Sequence, residues 1–342
     1  MINRLRPLLR SAALLAPGIV ACLLASAAGA AERAELRIAT VAPSGSSFHK
    51  RLQALGAEWS RGPGGMAMNI YPGTQGGELQ IVRRMRVGQI QGAMLSSVGL
   101  GQIERSVTAL QFMPLMFRDW DDVDRVRERL QPDLERRLRE AGYVVMFWAD
   151  AGWVRFFSRL PIQRVQDLKS MRVYASPGDP ESVEMMKAYY TPVLLEPDQM
   201  LLGLRNGMID ALPVPAFLAN FNQVPTYAPY MLDLRWAPIT GALVLTERAW
   251  NRLDPATQAW LRESSERAGH EMRQASRAED EQAVQAMREK QGLKVVPLTA
   301  EAEREWRAEV ARMYPRIRGT LVPAPIFDAT VETLKARRAA GS

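Results

Sequence analysis

The side chains best suited to catalysis or metal binding are scarce in this chain. It has two histidines, His49 and His270, and one cysteine, Cys22, among 342 residues. Neither histidine stands in a metal-ligand spacing such as HExxH. The sequence also lacks a nucleophile elbow, a phosphate-binding loop and a dinucleotide fingerprint. It therefore predicts a protein that is not an enzyme, and we expect no metal and no cofactor.

Side chains suited to binding a small molecule lie between Arg155 and Phe217. Arg155 and Arg172 carry planar guanidinium groups, which can hold a carboxylate with two parallel hydrogen bonds. Tyr174 offers one hydroxyl and a large ring, whereas Val214 offers no hydrogen bond at all. Two kinds of binding chemistry are therefore open, one for an acidic ligand and one for an apolar ligand.

Strands and helices alternate along the chain, which is typical of βαβ units and a mainly parallel sheet. Apolar runs and turn signals predict strands at Glu35–Val41, Met66–Tyr71, Ile90–Val98, Tyr143–Ala149, Met171–Ala175, Pro192–Leu195, Ile209–Leu212 and Gly241–Thr246. Helical periodicity predicts helices at Phe48–Ser60, Glu78–Val87, Asp121–Ala141, Pro180–Tyr190, Pro197–Asn206 and Ala256–Lys290. The last helix is too long for one small lobe, so we expect it to brace two.

The N-terminus has the features of a secretory signal peptide. Three arginines in the first ten residues precede an apolar run, Ala12–Leu24, and the small residues Ala28–Ala30 offer a cleavage site. We therefore expect residues 1–30 to be removed and the protein to reach the periplasm. Ile19–Cys22 also resembles a bacterial lipobox, which would leave Cys22 lipidated at the mature N-terminus. The alternative is that Cys22 is an apolar residue of the signal peptide.

The charge of the chain does not indicate a nucleic-acid partner. Loss of the three arginines in residues 1–30 would lower the net charge from +7 to +4. In Arg125–Arg139 arginine and glutamate mix at helical spacing, which is typical of a solvated helix face. The remaining length and the 47% hydrophobic content fit about two lobes, each with its own core.

Several motifs, in order, resemble the TRAP-type (tripartite ATP-independent periplasmic) solute-binding proteins. They are YPGTQGGELQ from Tyr71, LSSVG from Leu95, PLMFRDWDD from Pro114, DLKSMRVYASPGDP from Asp167, LLGLRNGMIDALPVP from Leu201 and TERAWNRLDPATQAWL from Thr246. The resemblance implies an α/β, two-lobed periplasmic binding protein with a long helix bracing both lobes. Lobe I would comprise residues 31–150 and 240–275, and lobe II residues 151–239 and 276–342. Such a receptor closes on its ligand and delivers it to the membrane permease subunits of a TRAP transporter.

The same resemblance identifies the ligand site and makes it unusual. The family's carboxylate-binding Arg falls on Tyr174, and its assisting Asn falls on Val214. A further family Arg falls at Trp153 or Val154. The expected cleft wall then contains Trp153, Tyr174, Leu212, Val214 and Phe217. An anion buried there would lose hydration without a paired charge. We therefore expect an apolar or amphipathic, lipid-like ligand.

Four polar residues at the ends of strands are further candidates for ligand contact. Ser46 follows the first strand, Ser96 and Ser97 end the third, and Asp150 follows the strand beginning at Tyr143. Open α/β sheets bind ligands at these ends, although turn chemistry would also explain them.

Two other functions, and a purely structural interpretation, stay open at this point. The protein would be a conventional organic-acid receptor if Arg155 or Arg172 contacted an anion. It would be a periplasmic carrier if it passed hydrophobic molecules to a non-TRAP partner. Ordinary packing would equally explain Trp153 as a core residue, and Tyr174 and Val214 as residues that favour a strand.

Overall fold

The structure is a computed structural model that describes residues 35–178 and 180–340. The predicted signal peptide, with Cys22, lies outside the described residues. The strands are β1 (Glu35–Thr40), β2 (Ala67–Pro72), β3 (Gly92–Ser96), β4 (Tyr143–Ser158), β5 (Arg172–Ala175), β6 (Thr191–Leu194), β7 (Ala211–Pro215), β8 (Tyr230–Leu232), β9 (Pro238–Thr246) and β10 (Lys294–Val296).

The helices cover the faces of this sheet. They are α1 (Ser47–Trp59), α2 (Glu78–Arg86), α3 (Ser97–Gly101), α4 (Trp120–Glu140), α5 (Val165–Leu168), α6 (Pro180–Met186), α7 (Met200–Arg205), α8 (Ala216–Phe221), α9 (Glu247–Trp250), α10 (Pro255–Lys290), α11 (Ala300–Thr320) and α12 (Ala324–Ala340). Within the described part of the chain, none of them combines the length and apolarity that a membrane span requires.

The strands form two half-sheets joined through the long strand β4. The order is β2-β1-β3-β9-β4-β7-β5-β6, with β8 also paired to β4 and β10 to β8. The first half-sheet uses residues 143–153 of β4, which pair with β9, and the second uses residues 154–158, which pair with β7. Strands β1, β2 and β3 run parallel, as do β5, β6 and β7. The predicted α/β class and parallel pairing are confirmed.

The passage of β4 from one half-sheet to the other depends on Gly152. The β4–β9 register shifts between Asp150 and Trp153, so a bulge lies there. Gly152 has a φ of +92°, and a Cβ at this position would lie 2.4 Å from the side chain of Asp280 in α10. Only glycine combines that backbone conformation with so close an approach.

Helix α10 contacts both half-sheets, as expected for a brace. Near its start, the indole Nε1 of Trp59 in α1 donates a 3.1 Å hydrogen bond to Ser264. Toward its end, Asp280 accepts the backbone N–H of Phe217 in α8 at 3.2 Å. Helix α10 therefore links α1 of the first half and α8 of the second half to the joining strand β4.

The C-terminal helix α12 packs along α4, beside the first half-sheet. Arg337 in α12 bonds to Asp119, with Nη1 2.9 Å from Oδ1, and also to Asp122. These aspartates lie at the N-terminal end of α4, where a cation on another helix finds concentrated negative charge.

Candidate ligand-binding cleft

A cavity of about 270 Å3, called the cleft cavity below, lies between the two half-sheets. One wall comes from the carboxyl ends of β1 and β3 and the start of α2. The other wall comes from the chain after β5, β6 and β7. Both walls are therefore built from the carboxyl ends of parallel strands, the usual place for ligands in open α/β sheets.

Much of the lining of the cleft cavity is apolar and aromatic. Phe48 of α1 and Phe217 of α8 both line it and pack against each other, with ring centroids 5.3 Å apart. Met94, Leu218 and Ile239 add aliphatic surface. Contact with such walls favours a ligand whose own surface is mainly apolar, because burial removes that surface from water.

The charged groups in the lining are all acidic. Glu78, Asp150 and Glu196 line the cleft cavity, and none of the described residues that line it is lysine or arginine. The carboxyl oxygens of Glu78 accept the backbone N–H of Ser96 at 2.5 Å, its hydroxyl at 2.6 Å and the N–H of Gly99 at 2.9 Å. Burial raises the pKa of Glu78 even though these three hydrogen bonds act in the opposite direction.

Tyr174 lies where the cleft cavity meets a second, smaller space. This side chamber, about 210 Å3, shares Val98, Tyr174 and Ser176 with the cleft cavity. Its other walls include Phe112, Phe156, Met186, Tyr190, Trp236 and Leu321. Burial, with the nearby charges of Glu196, Glu78 and Asp198, raises the pKa of the Tyr174 hydroxyl, so it is neutral at ordinary pH. Tyr174 therefore stands at the junction of two mainly apolar spaces.

Phe217 and Ser96 also line the cleft cavity, but two other predicted polar contacts do not. Ser46 caps α1 by accepting the N–H of His49 at 3.3 Å. Ser97 is fully buried, with its hydroxyl 2.9 Å from that of Thr240. Both serines are thus committed to holding elements of the first half-sheet in place.

Asp150 lines the cleft cavity but is already neutralised by two cations. Its Oδ1 accepts Nη1 of Arg127 at 2.6 Å, and its Oδ2 accepts Nε of Arg277 at 2.8 Å. Its side chain is almost wholly buried. The carboxylate therefore serves an ion-pair cluster between α4, β4 and α10 rather than the interior of the cavity.

The three remaining residues of the predicted wall lie in cores and not in the cavity lining. Trp153 is fully buried, with its ring 4.8 Å from that of Trp120. Leu212 and Val214 are buried beneath β7. Instead, Pro213 lines the side chamber and Pro215 lines the cleft cavity. Successive side chains of a strand point to opposite faces, so the residues next to these prolines point into the core.

Neither of the two arginines proposed as anion contacts lines the cleft cavity or the side chamber. Arg155 is 3% exposed and pairs with Asp280, with Nη1 2.8 Å from Oδ2. Arg172 is exposed and forms a bidentate pair with Asp210 at 2.9 and 2.8 Å. Both guanidinium groups are therefore already occupied by carboxylates of the protein.

Residue-by-residue reasoning missed Glu78, Glu196 and Phe48 as lining residues. Glu78 lies within the motif that begins at Tyr71, and Glu196 follows the strand β6 by two residues. Each follows a strand along the chain, and this position could have indicated that it lies near the ligand site. Phe48 carried no such signal, because an apolar residue in the first turn of a helix is equally expected in a core.

Comparisons with known proteins agree with this architecture. Residues 38–319 match the profile of the family described as "Bacterial extracellular solute-binding protein, family 7", DctP. The fold is similar to that of a TRAP periplasmic solute-binding protein from Ralstonia eutropha with bound (S)-2-acetolactate, at a TM-score of 0.81 and 18% identity. That alignment covers 89% of this chain and 99% of the other.

Two further solved structures show the same fold at low identity. One is a TRAP periplasmic solute-binding protein from Shewanella oneidensis with bound succinate, at a TM-score of 0.81 and 14% identity, covering 88% of this chain and 99% of that one. The other, from Xanthobacter autotrophicus with bound β-D-galacturonate, has a TM-score of 0.79 and 20% identity over the same shares.

Proposed function

The chain belongs to family 7 of the bacterial extracellular solute-binding proteins, and on that premise we propose that it captures an apolar or amphipathic, lipid-like molecule in the cleft cavity. It is a solute-binding receptor of the TRAP type and not an enzyme.

One observation carries the proposal, namely the lining of the cleft cavity. Mainly apolar walls surround two carboxyl groups, Glu78 and Glu196, and no lysine or arginine in the described lining offsets them. A buried carboxylate ligand would lose hydration worth several kcal/mol without a paired cation. Burial of apolar ligand surface, in contrast, gains about 25 cal/mol per Å2. The free energy of binding therefore favours an apolar ligand over a small acid.

The similar structures named above hold acids, so the contrast with this chain is specific. A conventional acid receptor built on this chain would need Arg155 or Arg172. Releasing Arg155 would leave Asp280 buried without its cation, which typically costs about 3–5 kcal/mol. A cost of that size would weaken ligand binding roughly a thousandfold. Releasing Arg172 is cheap, but this side chain is exposed and outside the cavity lining.

We further propose how the receptor is exported and where its two lobes begin and end. Residues 1–30 would direct export to the periplasm and then be removed, and the closed receptor would present its ligand to TRAP permease subunits. Lobe I would comprise residues 31–150 and 240–275, and lobe II residues 151–239 and 276–342. Within that division, α12 would act as a strap from lobe II to α4.

Native mass spectrometry of gently purified protein, followed by solvent extraction, tests the proposal. We expect an apolar or amphipathic molecule to co-purify with the wild type and to be lost in Phe217→Lys, which places a cation in the cleft cavity. Phe221→Lys is the matched control, since Phe221 lies on the same helix and is 46% exposed. Recovery of a small carboxylate instead would overturn the proposed ligand class.

A further inference from the structure

Given the proposed function, on which this inference rests, we infer that the ligand carries a positively charged ammonium group and that Glu196, with Glu78 and the surrounding aromatic rings, recognises it. The ligand class is thus an amphipathic amine. The observations that carry this are the charge balance of the cleft cavity, the partners of Glu196, the aromatic lining and the position of the side chamber.

The charge balance of the cleft cavity is negative. Of the three acidic residues that line it, Asp150 is neutralised by Arg127 and Arg277. Glu78 and Glu196 make no ion pair with any residue in the described ranges. Burial is the first cause of the raised pKa of Tyr174, and the carboxyl groups of Glu196, Glu78 and Asp198 add to it. An anionic ligand would be repelled there, and a cation attracted.

Glu196 is the carboxylate best placed to meet a charged ligand. It is half-buried, and among the described residues its side chain accepts one long hydrogen bond, 3.5 Å from Gln80 Nε2. Its Oε2 lies against Gly77, the N-cap of α2, where the positive end of the helix dipole favours a negative charge. Most of its hydrogen-bonding capacity is therefore left for a ligand.

Aromatic rings complete a site suited to an ammonium group. Phe48, Phe217 and Tyr174 line the same cavity as the two glutamates. Ring faces attract ammonium ions through their negative quadrupole, and more strongly when water is excluded. Carboxylates combined with aromatic faces select an ammonium over a neutral hydroxyl and over a carboxylate.

The side chamber gives the rest of the ligand a place. It opens beside Tyr174, and its walls of Phe112, Phe156, Met186 and Trp236 are apolar. An alkyl or aryl chain that begins at the ammonium group could pass Tyr174 and enter this chamber. The two spaces thus divide a ligand into a cationic end and an apolar end.

Isothermal titration calorimetry at pH 7 with decylamine, decanol and decanoate, each as monomer, tests the inference on the full chain. The three probes share one apolar chain and differ in the charge of the end group. We expect decylamine to bind at least tenfold more tightly than decanol, and decanoate most weakly. Glu196→Gln should weaken decylamine about tenfold and leave decanol unchanged. Glu271→Gln, an exposed substitution on α10, should change neither.

The outcomes separate this inference from the function on which it rests. Decanol binding as tightly as decylamine, or decylamine unaffected by Glu196→Gln, would overturn the ammonium site and leave the apolar receptor standing. Decanoate binding most tightly would overturn both, and so would a failure of all three probes to bind. Equal thermal unfolding midpoints of the wild type and Glu196→Gln would show that a change in affinity is not a loss of folding.

Discussion

The guanidinium group of Arg155 is held by the carboxylate of Asp280, with Nη1 2.8 Å from Oδ2, and both side chains are almost fully buried. Asp280 also accepts the backbone N–H groups of Trp153 and Phe217. The pair therefore joins β4, α8 and the bracing helix α10 at the point where β4 passes between the half-sheets. Arg155 is a structural residue of this junction.

Substitution of Arg155 tests that role. We expect Arg155→Met to lower the free energy of unfolding by about 3–5 kcal/mol, because Asp280 would be left as a buried charge without its cation. The molecules that stay folded should bind ligand with unchanged affinity. Urea unfolding gives the first quantity and calorimetry with decanol the second. A variant of normal stability that no longer binds ligand would contradict the structural role.

Arg172 should contribute to stability only above acidic pH. Its hydrogen bonds hold the pKa of Asp210 below the usual value. A lowered carboxyl pKa gives stability that is present above the unfolded-state pKa of about 3.9 and is lost as the pH falls through the folded-state value. The stability difference between the wild type and Arg172→Ala, small at pH 7 because the pair is exposed, should therefore shrink at pH 3. Urea unfolding at both pH values measures it, and a difference that grows on acidification would contradict the assignment.

Gly77 brings the start of α2 close to the side chain of Glu196. Its φ is negative, and a Cβ there would lie 2.8 Å from Oε2 of Glu196, the end of a flexible side chain. We therefore expect Gly77→Ala to displace the Glu196 carboxylate and to weaken decylamine binding about tenfold, or 1.4 kcal/mol, while decanol binding changes little.

Gly178→Ala is the matched control for Gly77→Ala, since Gly178 lies on the same cavity. A Cβ at Gly178 would make only ordinary contacts, at 3.6 Å or more. Calorimetry with decylamine and decanol on both variants tests the expectation. Equal affinities of the two variants for decylamine would show that the contact at Gly77 does not position Glu196.

Tyr174 should contribute to binding chiefly through its ring. Tyr174→Phe keeps the ring at the junction of the cleft cavity and the side chamber, so decanol affinity should change little. Tyr174→Ala removes a large apolar contact worth about 1.5–3 kcal/mol and should weaken decanol about tenfold or more. Calorimetry with decanol on the two variants tests this. If Tyr174→Phe and Tyr174→Ala weakened binding equally, the hydroxyl and not the ring would be the important contact.

Much of the fold could be predicted from the sequence, because local patterns mark eight of the ten described strands and six of the twelve described α-helices. The α/β class, the parallel strands and the bracing helix α10 followed from those patterns. The place of α12 did not, because a local pattern does not show which distant helix a segment will pack against. Its position depends on Arg337 meeting Asp119 and Asp122, more than two hundred residues earlier in the chain.

The site was predicted in part, and the differences have physical causes. Tyr174, Phe217, Ser96 and Asp150 were placed on the lining of the cleft cavity. On β7, however, the residues that face the cavities are prolines, and an apolar residue on either face of a strand gives the same signal. Charge partners were equally hidden, since a sequence shows Arg155 but not the carboxylate that occupies it.

A crystal structure of the protein grown with decanol at saturating concentration would show directly what the cleft cavity binds. We expect density for an apolar chain in the cleft cavity beside Tyr174 and Phe217, with Arg155 still bound to Asp280. A carboxylate bound by Arg155, with that ion pair broken, would contradict this expectation.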